Sequence, residues 1–214
     1  QPEGISLTRV VDNAGNITSE TNGEGKTTRY TFDELNRVTS ITPPSGTATT
    51  IAYTPTQKTS SRGAQIETTR YDPFGQVASM TLGAITTRHE YDPLGRQTFV
   101  SHPGAATGTR YQYDAMNRVI RTTHADGTFQ STAYGPGTQT VTDERGKVTT
   151  STYRSYGDPE QGHLMAVAAA DPAANVNFTR NTRDQVTAVS QAGLTRSYAY
   201  NANSYLVSVT NPET

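Results

Sequence analysis

The chain has 214 residues, a formal net charge of -1 at pH 7 and no cysteine. Only 32% of the residues are hydrophobic, Trp is absent and Thr is common, which favours strands and argues against a thick core. Interspersed charges exclude an electrostatic signature for nucleic acid, and the lack of Cys excludes disulfides and thiolate metal sites. The most apolar run, "HLMAVAAA" (residues 163–170), is too short to span a membrane, and no window resembles a signal peptide.

An aromatic residue followed by a turn-forming residue recurs about every 20 residues. In chain order the pairs are Phe32-Asp33, Tyr53-Thr54, Tyr71-Asp72, Tyr91-Asp92, Tyr113-Asp114 and Tyr134-Gly135, and a degraded copy begins at Tyr200. A Gly followed by Thr-rich alternating residues precedes the next aromatic, as in "GKTTRYTF" (residues 25–32) and "GAITTRHEY" (residues 83–91). Each repeat therefore predicts two short antiparallel strands joined by two turns, and the chain as a whole predicts an all-β fold.

The heptad "YDPFGQV" (residues 71–77) has the composition of a tight hairpin turn. Its Asp can accept hydrogen bonds from backbone N–H groups just ahead, Pro presets φ, and Gly permits a positive φ. These features predict a type I turn closed by a Gly bulge. The Gly position is filled by residues that tolerate the left-handed region, namely Gly15, Gly75, Gly95 and Gly146, and by Asn36 and Asn117 in sister repeats.

This turn also predicts the register of each hairpin, with the Asp facing the residue four positions on and the aromatic facing the residue five positions on. The expected ion pairs are Asp33 with Arg37, Asp92 with Arg96, Asp114 with Arg118 and Asp143 with Lys147, while Asp72 faces the neutral Gln76. The expected aromatic pairs are Phe32 with Val38, Tyr71 with Val77, Tyr113 with Val119, and Tyr91 with Gln97. A two-residue loop would instead oppose Asp to Gly and Tyr to Arg.

The repeat pattern degenerates near residues 158–177. The apolar run there is compatible with a short helix or a strand; we favour the strand, and "ADPAANV" (residues 170–176) predicts a turn. "TPPSGTATT" (residues 42–50) predicts one long hairpin tip rather than a linker. We therefore expect a single domain over residues 1–214, with about nine or ten repeats.

Candidate chemistry is sparse. The four His residues, at positions 89, 102, 124 and 163, have no metal-ligand spacing, and "DNAGN" (residues 12–16) lacks the Gly and distal Glu of a calcium loop. No nucleophile elbow, phosphate-binding loop or dinucleotide fingerprint is present. The repeated Asp residues stack alike and are matched to basic residues, whereas catalysis needs a unique site. We expect no enzyme activity, no cofactor and no metal.

The heptads "YDPLGRQ", "YDAMNRV" and "FDELNRV", each preceded by a Gly- and Thr-rich strand, resemble the YD repeats of the Rhs family. That family includes bacterial Rhs polymorphic toxins, the B and C components of Tc toxin complexes, and teneurins. The residues of this chain that match the repeat motif are Phe32, Asp33, Asn36, Arg37, Tyr71, Asp72, Gly75, Tyr91, Asp92, Gly95, Arg96, Tyr113, Asp114, Asn117, Arg118, Asp143 and Gly146. The resemblance implies tandem hairpins in a curved, spiralling antiparallel sheet that forms a segment of a shell.

The resemblance further implies a structural role: a shell that encapsulates a C-terminal toxin and helps deliver it from a bacterial cell. The partners would be the remainder of the shell and the enclosed toxin. The family's autoproteolytic motif, an Asp-Pro-x-Gly sequence with downstream acidic residues, is not found, so no protease role is carried onto Asp72 or Asp92. The repeat breaks off partway at residue 214, so we expect an excerpt from a longer protein.

Two further expectations concern binding. A carbohydrate-binding or adhesive repeat module is the alternative function, in which Tyr rows such as Tyr111 and Tyr113 would stack on sugars. Exposed strand edges at either end of a truncated sheet would also pair with another copy, so self-association is expected.

Overall fold

The computed structural model describes residues 6–155 and 162–212. The chain divides into two compact units, Gln1–Thr109 and Arg110–Thr214. Each unit is a run of short antiparallel strands, so the predicted all-β antiparallel class is confirmed. The single domain over residues 1–214 stays a prediction.

Unit 1 consists of strands that each pair with the next strand along the chain. They are β1 (Thr8–Val11), β2 (Ile17–Thr21), β3 (Thr27–Phe32), β4 (Val38–Thr42), β5 (Thr49–Thr54), β6 (Gln57–Arg62), β7 (Gln65–Tyr71), β8 (Val77–Leu82), β9 (Ile85–Tyr91) and β10 (Gln97–Ser101). The segment between β4 and β5 is a hairpin connection, as predicted for residues 42–50.

Unit 2 follows the same plan, with its first strand beginning two residues before the unit boundary. Its strands are β11 (Gly108–Tyr113), β12 (Val119–Thr123), β13 (Phe129–Gly135), β14 (Thr138–Thr142), β15 (Val148–Arg154), β16 (His163–Ala168), β17 (Val176–Arg180), β18 (Val186–Gln191), β19 (Leu194–Tyr200) and β20 (Leu206–Thr210).

The degenerate stretch of the repeat is a strand and a turn. The apolar run forms β16, and a single turn of 3-10 helix, Pro172–Ala174, lies within the predicted turn, so both predictions are confirmed. Residues 158–161 lie outside the described part of the chain. Over that described part there is no α-helix, and no helix is long and apolar enough to cross a membrane.

The two faces of the unit 1 sheet differ in chemistry. Residues paired across antiparallel strands share a face, and one face carries pairs such as Tyr30 with Ile41 and Thr69 with Met80. The other face carries pairs of hydroxyl residues, such as Thr81 with Thr86, whose hydroxyl oxygens lie 3.0 Å apart. We call these the aromatic face and the hydroxyl face.

Turns alternate between the two rims of the unit 1 sheet, because successive strands run in opposite directions. The aromatic rim has the turns that follow the aromatic strand ends, at residues 33–37, 55–56, 72–76 and 92–96, together with residues 12–16. The opposite rim has the turns at residues 22–26, 43–48, 63–64, 83–84 and 102–107.

Burial is thin, as the composition predicts. Phe99 is the one large apolar side chain that is buried among the described residues, with 5% of its surface exposed. Most strand residues are half-buried. Cross-strand hydrogen bonds and contacts between neighbouring repeats therefore carry much of the stability.

Candidate functional site

The turn at residues 72–76 shows how each repeat reverses direction. The Asp72 N–H donates to the carbonyl of Gln76 at 2.8 Å, and the Gly75 N–H donates to the carbonyl of Asp72 at 3.0 Å. Asp72 Oδ1 accepts the backbone N–H groups of Phe74 and Gln76 at 2.8 and 2.9 Å. The same arrangement recurs at Asp33, Asp92, Asp114 and Asp143. The Asp is therefore a turn-forming group.

The predicted register is confirmed at the aromatic positions. Phe32 lies opposite Val38, Tyr71 opposite Val77, Tyr113 opposite Val119 and Tyr91 opposite Gln97. The left-handed position is confirmed as well, with φ of +81° at Gly75, +80° at Gly95, +58° at Asn36 and +63° at Asn117. The sequence pattern did not identify Asp184 and Ser204, which hold the same position in degenerate repeats with φ of +59° and +68°.

Three of the four predicted ion pairs form. The distance from Arg Nη2 to Asp Oδ2 is 2.7 Å for Arg37 with Asp33, Arg96 with Asp92, and Arg118 with Asp114. The side-chain hydrogen bond from Arg37 is the main cause that lowers the pKa of Asp33, and the backbone N–H of Arg118 is the main cause for Asp114. At Asp92 partial burial acts in the opposite direction and is the largest single effect, yet the bonds from Arg96 and Leu94 together lower its pKa.

The fourth predicted ion pair, Asp143 with Lys147, is wrong. Lys147 donates its backbone N–H to Asp143 Oδ1 at 2.7 Å, but its ammonium group forms no ion pair with that carboxylate. The Lys ammonium is a strongly hydrated charge on a flexible stem, and it lacks the planar fork that holds Arg against the turn carboxylate. The Asp143 turn follows β14, so strand order also places it at the opposite end of the unit 2 strands from the Asp114 turn.

A tyrosine staple joins neighbouring repeats. The Tyr53 hydroxyl donates to the carbonyl oxygen of Val38 at 3.1 Å, and the guanidinium carbon of Arg37 lies 4.4 Å from the centre of the Tyr53 ring. Arg37 thus binds the Asp of its own turn and covers the Tyr of the next repeat. Unit 2 repeats the arrangement. The guanidinium carbon of Arg118 lies 3.9 Å from the centre of the Tyr134 ring, and the Tyr134 hydroxyl donates to the carbonyl of Val119 at 3.5 Å.

The hydroxyl bond of the staple recurs without the stacked Arg. Tyr91 donates to the carbonyl of Val77 at 3.1 Å, and Tyr200 donates to that of Val186 at 3.0 Å. Burial, assisted by the nearby Asp72 carboxylate, raises the pKa of Tyr91. The Tyr71 hydroxyl has no hydrogen bond to another described residue, and Phe32 has no hydroxyl to offer. The sequence analysis missed the staple, although the sequence contains one signal of it. That signal is an Arg or an amide residue four positions after the turn opener, together with a Tyr one repeat later.

Where the fourth position after the turn opener is an amide, the amide reaches the next turn instead. Asn16 Nδ2 donates to Asn36 Oδ1 at 2.8 Å, and Gln76 Nε2 donates to the carbonyl of Gly95 at 2.8 Å. In unit 2, Gln185 Nε2 donates to the carbonyl of Ser204 at 3.1 Å. The fourth position after the turn opener therefore joins repeats in either of two ways. An Arg there stacks its guanidinium on the Tyr ring of the next repeat, and an amide there donates a hydrogen bond to the next turn.

The acidic and histidine side chains of the described residues do not gather into a metal cluster. No group of three or more His, Asp or Glu side chains in residues 6–155 and 162–212 is arranged to hold a metal. A depression of about 410 Å³ is open to solvent between two turns of unit 2 and is lined by residues such as Asp126, Phe129 and Asp143. Tyr111 and Tyr113 are half-buried, opposite Thr122 and Val119. The recurrent geometry is one that joins repeats.

Known proteins share this repeat and this fold. Residues 11–48 match the family model described as RHS Repeat. The chain is similar to a chain in the crystal structure of TcdB2-TccC3-Cdc42, with a TM-score of 0.60 and 13% identity, over 98% of this chain and 15% of that chain. A chain in the crystal structure of TcdB2-TccC3-TEV gives a TM-score of 0.49 and 12% identity, over 96% of this chain and 15% of that chain. No match occurs among curated protein sequences.

The family resemblance and the fold agree. The matched region contains the Asp33 turn, and its hydrogen bonds recur at Asp72, Asp92 and Asp114 beyond that region. The antiparallel array of the whole chain is the fold found in the TcdB2-TccC3-Cdc42 structure, and this chain spans about 15% of the length of its counterpart there. Residues 11–48 therefore carry an RHS repeat, and the chain has the fold seen in the TcdB2-TccC3-Cdc42 structure.

Proposed function

We propose that this chain is a wall segment of an Rhs-type shell that encapsulates a C-terminal toxin region and helps to deliver it from a bacterial cell. The observation that carries the proposal is the set of staples between successive repeats at the aromatic rim. A stack in which each repeat binds the next extends a sheet without limit, which is what a continuous wall requires. In this proposal the partners are the remainder of the shell and the enclosed toxin.

The thinness of the sheet supports the same role. A single layer has two exposed faces and little interior, and a wall must separate two compartments without a thick core. The aromatic face and the hydroxyl face give such a wall two chemically different surfaces. The RHS repeat and its fold favour a structural role over a catalytic one.

The tyrosines give the alternative, a carbohydrate-binding module, little support. Sugar stacking needs an open aromatic face. One face of the Tyr53 ring is covered by Arg37 and one face of the Tyr134 ring by Arg118, and both hydroxyls are bonded to the preceding repeat. These rings serve the contact between repeats.

Protease protection of the longer gene product tests the proposed shell. The full protein containing this chain should be compared with a variant in which the staple is broken by Arg37→Ala and Tyr53→Ala. We expect any region that follows the repeats to resist proteolysis in the intact protein and to be cleaved faster in the variant. Tyr71→Phe serves as the control, because its hydroxyl has no bond to another described residue. Equal cleavage rates in the intact protein and the denatured one would overturn encapsulation.

A further inference from the structure

Two basic side chains face each other in the degenerate repeat. Tyr153 lies opposite Leu164 across β15 and β16, so these two residues hold the aromatic position and its cross-strand partner. Arg154 then holds the position of the turn-opening Asp, and His163, which lies opposite it, holds the position of the Arg or amide that closes a regular turn. Like charges that face each other across antiparallel strands destabilise a sheet. A carboxylate next to this pair would therefore stabilise the repeat.

The next turn at the same end of the strands places its carboxylate differently from a regular turn. In this turn, residues 181–185, the opener is the neutral Asn181, whose Oδ1 accepts the N–H groups of Arg183 and Gln185 at 2.9 and 3.1 Å. Asp184 holds the left-handed position, with φ of +59°, that Gly or Asn holds in the regular turns. The turn is thus formed without the Asp184 carboxylate, which can reach a neighbouring repeat.

The Asp184 carboxylate bridges the two basic side chains. Arg154 Nη2 forms an ion pair with Asp184 Oδ1, and His163 Nε2 lies 3.5 Å from Asp184 Oδ2. The Asp184 side chain is only 19% exposed, so its neighbours largely enclose it. The amide contacts between other turns also run from the residue that closes one turn to the left-handed residue of the next. The contact of His163 with Asp184 is that same junction, with a carboxylate in place of a neutral acceptor.

Arg180 takes the place of the staple tyrosine. It lies opposite Val186, so it holds the aromatic position of its repeat. Arg180 Nε donates to the carbonyl of Leu164 at 3.2 Å, and this bond is the equivalent of the one from the Tyr53 hydroxyl to the preceding repeat. Arg180 Nη1 donates to the carbonyl of Asp184 at 2.6 Å. One guanidinium therefore joins the preceding hairpin to the left-handed residue of its own turn.

We propose that four residues form an ionic junction between the hairpin of β15 and β16 and the hairpin of β17 and β18. They are Arg154, His163, Arg180 and Asp184. Each departs from the repeat motif at a different position, yet all of them enter one contact, in which charged groups replace the Tyr hydroxyl of a regular junction. The ionic junction loosens when its charges are removed or screened. The proposal is independent of toxin encapsulation, because it concerns a contact within unit 2.

A double-mutant cycle measured by hydrogen exchange tests the ionic junction. Asp184→Asn removes the carboxylate and should fold, because Asn36 and Asn117 hold the equivalent position in other turns. We expect it to raise the exchange rates of the β16 and β17 amides about tenfold, since bonds to a charged group are lost. Arg154→Gln should raise them as well, and the double variant should give less than the product of the two single increases. Increases that multiply fully would show that the two side chains act independently and would overturn the proposal.

Salt distinguishes the ionic junction from a neutral one. Tyr200→Phe is the matched control, because it removes a neutral bond of 3.0 Å to the Val186 carbonyl at the next junction of unit 2. Raising the ionic strength to about 1 M shortens the Debye length to about 3 Å. The increase caused by Asp184→Asn should then shrink, whereas the increase caused by Tyr200→Phe in β18 and β19 should persist. The same response to salt in both variants would refute an ionic origin, and so would exchange in β16 and β17 that Asp184→Asn leaves unchanged.

Discussion

Gly75 shows what one residue contributes to a turn. Its φ of +81° lies where a side chain is strained, yet nothing lies within 4 Å of a Cβ placed there. The cost of substitution is therefore conformational rather than steric. Gly75→Ala should lower the free energy of unfolding by about 1 kcal/mol. Gly75→Asn should cost clearly less, because Asn36 and Asn117 already occupy the equivalent position. Urea denaturation of both variants measures the difference, and equal losses would contradict a backbone origin.

The turn carboxylates make stability depend on pH. The pKa values of Asp33, Asp92 and Asp114 are lowered below the ordinary value of 3.8. A carboxylate with a lowered folded pKa contributes stability that is present above its unfolded pKa and is lost as the pH falls through the folded pKa. The urea midpoint should therefore be steady near neutral pH and fall below about pH 4.

The matched control for this pH dependence replaces the three carboxylates by amides. Asn opens the turns at residues 22–26, 181–185 and 201–205 and accepts the same backbone N–H groups. Asp33→Asn, Asp92→Asn and Asp114→Asn together should keep the turns but reduce the pH dependence, while Asp12, Asp126 and Glu144, whose pKa values are also lowered, retain their share of it. An equally steep acid loss in the triple variant would assign the effect to other groups.

The tyrosine hydroxyls can be tested one at a time. Tyr91→Phe removes the donor to the Val77 carbonyl and should cost about 0.5–1.5 kcal/mol of unfolding free energy. Tyr71→Phe is the control and should be nearly neutral. Because the pKa of Tyr91 is raised, the contribution of its protonated hydroxyl is present below the unfolded pKa and is lost as the pH rises through the folded value. Equal costs for the two variants, measured by urea denaturation, would rule out the inter-repeat bond as the source.

At the scale of the element, the hairpin was predictable and the contact between hairpins was not. The Asp72 turn and the pairing of Tyr71 with Val77 depend on residues within one heptad, so local composition determines them. The staple from Tyr53 to Val38 joins residues 15 positions apart and depends on which strands are neighbours. A heptad by itself does not contain that information.

The rim on which the Asp143 turn lies is likewise not encoded in its heptad. Its heptad has the local chemistry of the other turns, and its backbone hydrogen bonds are the same. The end of the strand at which a turn lies depends on the number of strands before it. Tyr134 is followed by the two-residue loop at residues 136–137, and that loop occupies the position at which the repeat would place the next Asp turn.

At the scale of the whole molecule, a substitution in a repeat array should destabilise mainly the strands near it. Phe99 is the buried apolar side chain of unit 1, and Phe99→Ala should cost about 3–5 kcal/mol. Because each repeat is stabilised by its neighbours, the loss of stability should be largest in the strands adjacent to Phe99. Hydrogen exchange should rise most in β8, β9 and β10 and least in β1 and β2. A uniform rise across unit 1 would show a single cooperative core instead.

The alternation of turns between two rims restricts how such a chain can change in length. Gain or loss of two strands, about 20 residues, shifts the sheet by about 10 Å and leaves every later turn on its own rim. Gain or loss of a single strand would exchange the rims for all later turns, so the Tyr staples that follow would lie on the opposite rim. Insertions and deletions that preserve function are therefore expected in even numbers of strands, and the length of the wall can evolve in whole repeats.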